Sequence, residues 1–151
     1  MEKEFVNYNQ ALALKELGFD EPCFAYYGIN NIESKLFFDI DPDDGELTSL
    51  NQNQFYHNNL SEVGRISAPI KSQAFKWFID KHGLHIHMCP EFYKDGINYC
   101  WQILWYLPKD KWTDSNVHGG TMFYGDNHEY PTKEETENAC IDKMIEIVKN
   151  K

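Results

Sequence analysis

With 151 residues and a formal charge of −10, the chain has the length of one domain and enough of it to bury a core unaided. Hydrophobic residues make up 42% and aromatic residues 15%, a composition that excludes global disorder. Acidic residues number 24 against 14 basic ones, and Arg65 is the sole arginine, so the clustered basic footprint of a general nucleic-acid binder is absent.

In chain order, Asn7 followed by Gln10 predicts a capped start for a first helix, with Ala11, Leu12, Leu14 and Leu17 as its apolar positions. Gly18 followed by Phe19 predicts its stop. A strand is predicted over residues 23–28, with Leu36-Phe37-Phe38-Asp39-Ile40 as its partner. Residues 41–65 carry no period and read as a long connection opening on the turn signal Asp41-Pro42-Asp43-Asp44-Gly45. A second helix is predicted to start near Ser67-Ala68-Pro69, to bury Ala74, Phe75, Phe78, Ile79 and His82, and to end at Gly83.

The next segment alternates, with Leu84, Ile86 and Met88 on one side and His85, His87 and Cys89 on the other. A turn at Lys94-Asp95-Gly96 returns the chain into an aromatic strand, where Tyr99, Trp101, Ile103, Trp105 and Leu107 share a face and Tyr106 lies opposite. Residues 108–130 read as loop with a short strand near 121–124. Thr132 with Glu135 opens a third helix whose buried stripe is Cys140, Ile141, Met144, Ile145 and Val148. The expected fold is a single α+β domain over residues 1–151, mainly antiparallel sheet with three helices, in the order α-β-β-α-β-β-(β)-α and with the helices covering one face of one sheet.

Three segments carry a resemblance. They are Tyr8 to Asp20, then Ala68-Pro69 with Gln73-Ala74-Phe75-Lys76-Trp77-Phe78, and Glu137 with Ala139-Cys140-Ile141 leading into Ile145 to Lys149. Together they resemble a family of small uncharacterised proteins encoded by phages and prophages of Bacteroidetes-type hosts. The resemblance covers the helices and their flanks. It implies a cytoplasmic phage accessory protein and assigns no catalytic residues.

Cys23, Cys89, Cys100 and Cys140 form no CxxC pair, Glu2-Lys3-Glu4 is unlike a signal peptide, and no apolar run approaches the ~20 residues of a membrane span. Free thiols, a cytoplasmic location and no membrane partner are therefore expected. The most chemical pattern is His85-x-His87-x-Cys89, which puts two imidazoles and a thiol on one strand face about 7 Å apart. A metal bound there would need further ligands from His57, Glu91, His118 or His128. No second close ligand pair supports that, so a half-exposed sheet face is the simpler reading, and neither metal nor cofactor is expected.

Asp114, Ser115, His118 and His128 lack a nucleophile elbow, and the acids from Asp39 to Glu46 fail the register of a calcium loop. Ligand contact is expected instead from Trp101, Trp105, Tyr106, His85 and His87, provided that the Trp face is open. The expected function is non-enzymatic: stoichiometric binding of a host protein or a small ligand such as a nucleotide signal. A small metal-dependent hydrolase built on His85 and His87 is the alternative.

Overall fold

A computed structural model describes residues 2–28, 35–38, 65–106, 121–125 and 129–150, with only the backbone described for Tyr106 and residues 121–125. The fold is α+β, with three α-helices and antiparallel strands among the described residues. The expected turn at 41–45, most of the 41–65 connection, the 108–120 loop, Leu107 and the histidines at 57, 118 and 128 lie outside the described residues. The chain divides into two compact units, Met1–Gln73 and Ala74–Lys151.

In the first unit, helix α1 (Tyr8–Glu16) starts as its sequence predicts. The Asn7 side chain accepts from the Gln10 amide at 3.0 Å, and the Asn7 amide donates to the Gln10 side chain at 3.1 Å. Two donors with no partner inside the helix are thereby satisfied. Asn7→Ala removes this exchange and is expected to cost about 1 kcal/mol, seen as a lower midpoint in helix-monitored chemical unfolding. At the other end Gly18, at φ 88°, takes the left-handed conformation. Its amide donates to Lys15 O at 3.0 Å and that of Phe19 to Leu14 O at 2.9 Å, the paired bonds of a Schellman stop.

Strand β1 (Ala25–Gly28) lies between β2 (Leu36–Phe38) and β3 (Arg65–Ser67), antiparallel to both. Tyr26 stacks on its cross-strand partner Phe37, and the Arg65 guanidinium sits 4.6 Å from the Tyr26 ring centre. β3 ends on Ser67, where the sequence pattern places the start of the second helix. Ser67 pairs with Tyr26, and the Ala68 amide donates to Ala25 O at 2.9 Å. These groups are spent on the sheet, so helix α2 (Lys71–His82) begins four residues later. The Tyr27 hydroxyl, in the buried interior, donates to Val6 O at 2.8 Å.

In the second unit, the α2 residues Ala74, Phe75, Trp77 and Phe78 are buried, while Ile79 and His82 are only partly covered. Trp77 meets Phe78 edge-on at 5.1 Å between ring centres and His82 at 4.7 Å. Gly83, at φ 66°, ends α2 and turns the chain directly into β4 (Leu84–Tyr93). β4 pairs antiparallel with β5 (Gly96–Tyr106), and β5 pairs with β6 (Thr121–Gly125). Helix α3 (Lys133–Lys149) packs on β5 and β4 and buries Cys140, Ile141, Met144 and Ile145. Thr132 caps it by accepting from the Glu135 amide at 3.2 Å.

The single sheet expected from sequence is thus replaced by two three-stranded sheets, β2-β1-β3 and β4-β5-β6. Each hairpin finds its third strand nearby in space: β3 beside β1, and β6 beside β5.

Candidate functional site

The β4–β5 hairpin carries the residues that the sequence marks for function, and its register decides where they go. The two-residue turn Lys94-Asp95 sets Tyr93 opposite Gly96, Cys89 opposite Cys100, His87 opposite Gln102 and Leu84 opposite Trp105. Alternation then separates the hairpin into two faces. One holds Leu84, Ile86, Met88, Trp101, Ile103 and Trp105. Leu84 and Ile103 are 0% exposed there, and Trp101 is 2% exposed. That face is core, so Trp101 is withdrawn from any open stacking platform. Trp105 is half-buried on the same face, and the Tyr106 side chain lies outside the described residues. His85 and His87 are exposed on the opposite face. Of the expected contact residues, Trp101 and Trp105 thus lie on one face of the hairpin and His85 and His87 on the other.

The open face is organised around sulfur and carboxylate groups. His87 Nδ1 lies 3.3 Å from Cys89 Sγ. Cys100 Sγ donates toward Cys89 O at 3.6 Å and Glu91 Oε1 at 3.7 Å. Partial burial, with Cys89 and Glu91 beside it, pushes the Cys100 thiol up. Further along, the Tyr93 hydroxyl donates to Glu91 Oε2 at 2.7 Å and also contacts Glu129, whose other oxygen accepts from Asn98 Nδ2 at 2.9 Å. The hydrogen bonds from Tyr93 and Asn98 hold the Glu129 carboxyl below its usual range, and those to Glu129 and Glu91 raise the Tyr93 phenol.

Tyr99 spends both backbone groups on Tyr130, at 2.8 and 2.9 Å on the side away from β4. In an antiparallel ladder that makes Pro90–Tyr99 a non-hydrogen-bonded pair and Cys89–Cys100 a hydrogen-bonded one. Pro90, with no N–H, occupies a position where the ladder needs none.

Beyond Pro90 the hairpin loses its cover, and every residue from Pro90 to Ile97 is exposed on both faces. Phe92 is 77% exposed and pairs with Ile97, itself 45% exposed, while Tyr93 is 47% exposed. This apolar arm is absent from the sequence-based list, as is Cys100 opposite Cys89. The Lys94-Asp95 turn contains the signal for the cysteine pair, because a two-residue turn fixes every pairing behind it.

Among the described residues, no group of three or more His, Cys, Asp or Glu side chains is placed to hold a metal ion. No described helix is long and apolar enough to cross a membrane. No family model, curated protein or solved structure matches the chain.

Proposed function

We propose that the protein works by stoichiometric, non-enzymatic binding of another protein, grasped by the β4–β5 arm, in the role of a phage-type accessory protein acting on a host component in the cytoplasm. The observation that carries this reading is Phe92, a large aromatic left 77% exposed and paired across the ladder with the exposed Ile97. Aromatic side chains set on a rigid hairpin are the typical anchors of protein interfaces, because they bury much apolar area for little lost entropy. Glu91, Lys94 and Asp95 flank the anchor along the exposed arm, Glu129 meets the arm on its opposite face through Tyr93 and Asn98, and the whole chain carries −10. The fitting partner surface is an apolar pocket rimmed by lysine and arginine.

The small-ligand version loses support because Trp101, its central aromatic, is in the core. The hydrolase alternative gains none, since no described third ligand joins His85 and His87.

The test is capture of a partner from host lysate on the immobilised protein, followed by titration of the purified pair. Phe92→Ala is expected to weaken binding at least about thirtyfold, the loss of an anchor worth about 2 kcal/mol, with the far-UV spectrum unchanged. Added salt should weaken the complex further. Equal affinity of the wild type and a Phe92→Ala/Ile97→Ala double variant would overturn the assignment of the arm.

A further inference from the structure

We propose that Cys89 and Cys100 form a thiol–disulfide exchange site that accepts a low-molecular-weight disulfide and closes into a reversible cross-strand disulfide at the root of the arm. The two residues are direct partners in the ladder. As a hydrogen-bonded pair their Cα atoms stand about 5.5 Å apart, inside the span of about 4.4–6.8 Å that a disulfide bridges, while their Cβ atoms, at the wide end of about 4.5–5.5 Å, must draw together, so the closed bond is strained and easily reduced. Both thiols are free and half-buried rather than sealed in the interior, and Cys100 Sγ reaches the Cys89 carbonyl at 3.6 Å. The other two cysteines are different. Burial, with Glu21 adding to it, pushes the Cys23 thiol up to about 12, and burial raises that of Cys140. Both are held as unreactive thiols in the core.

The open face also supplies a proton acceptor. His87 Nδ1, 3.3 Å from Cys89 Sγ, takes the thiol proton, and the resulting thiolate attacks one sulfur of the incoming disulfide R–S–S–R. The S–S bond of the reagent breaks and a mixed disulfide forms on Cys89. The expelled RS⁻ recovers the proton from His87 and leaves as RSH. Cys100 then attacks Cys89 Sγ, expelling the second RS⁻, which takes the Cys100 proton. The protein loses two protons and two electrons, the reagent takes them up to become two thiols, and no further oxidant is needed. Cys89 attacks and Cys100 resolves, because Cys89 has the imidazole beside it while Cys100 donates toward Glu91 and the Cys89 carbonyl.

A bond between strands already fixed by their backbone ladder tolerates little adjustment, and its exposure leaves it open to reversal by thiols. Closing it would tie β4 to β5 where the covered part of the hairpin ends and the exposed arm begins. The site stands independently of partner binding by Phe92.

The full-length protein, fully reduced, is incubated with glutathione disulfide as the probe, quenched with acid and read by intact mass and peptide mapping. The wild type is expected to lose two hydrogens in a single Cys89–Cys100 link. Cys100→Ser is expected to stop at one glutathione adduct on Cys89, whereas Cys89→Ser shows at least about tenfold slower adduct formation at position 100. His87→Gln is expected to slow the first step at least about tenfold while the same link still forms. The proposal is overturned if the wild type carries glutathione on both cysteines without linking them, if the link involves Cys23 or Cys140, or if no thiol reacts. A His87→Gln rate equal to the wild type would overturn the proton-acceptor role.

Discussion

Trp101→Ala is expected to destabilise the second unit by about 3–5 kcal/mol, the cost of emptying a large aromatic site in a packed interior. Trp101 is 2% exposed, and its neighbours along the same strand face include the fully buried Ile103. Its cross-strand partner Met88 is half-buried, so the structure can relax only partly into the space left behind. One residue further on, Gln102 points to the open face, and Gln102→Ala is expected to change stability by less than about 0.5 kcal/mol. The contrast between adjacent residues is the sharp part of the expectation. All four tryptophans, Trp77, Trp101, Trp105 and Trp112, lie beyond residue 73, so fluorescence-monitored urea unfolding reports on this unit. Similar midpoints for the two variants would mean that the strand faces are assigned the wrong way round.

Phe19→Ala is expected to cost a similar amount, about 3–5 kcal/mol, in the first unit. Phe19 is 0% exposed and follows the left-handed Gly18, with its amide bonded to Leu14 O at 2.9 Å. Leu14 is also fully buried, and the apolar contact between such a pair is the usual companion of a Schellman stop. The substitution therefore empties a core site and loosens the device that ends α1. Leu12 lies on the same helix but is 36% exposed, so Leu12→Ala is expected to cost well under half as much. Far-UV circular dichroism across a urea gradient measures both, since this unit has no tryptophan.

Elements with several repeats of their period were legible from residue types. The alternation of Leu84 to Met88 and of Tyr99 to Trp105 marks the β4–β5 hairpin, and of the residues it groups together the structure buries Leu84, Trp101 and Ile103 and half-buries the others. The Asn7/Gln10 cap and the Gly18 stop were equally plain, because each rests on side-chain chemistry confined to a few residues. β3 was hidden because three residues are too short to show a period and Ser67-Ala68-Pro69 also suits a helix start. The apolar spacing of α2 points through Ile79 and His82, whereas the buried sector is centred a little to one side, on Ala74, Trp77 and Phe78. As for the site, alternation tells which way a side chain points but not whether anything lies over it. Phe92 and Trp101 point to the same side of their hairpin, and only the packed structure distinguishes the bare ring from the enclosed one.

Pro90 has a consequence for how this molecule coexists with copies of itself. Among the described residues β4 is the outer strand of its sheet, and the Pro90 nitrogen faces outward from it. A strand from a neighbouring chain that tried to zip along this rim would meet a position offering it no hydrogen, midway along its path. End-to-end polymerisation through β4 is thereby interrupted, even though the same hairpin displays an oily tip. Phe92 is thus displayed beside a rim that Pro90 blunts, an arrangement that favours approach to the face over strand addition along β4.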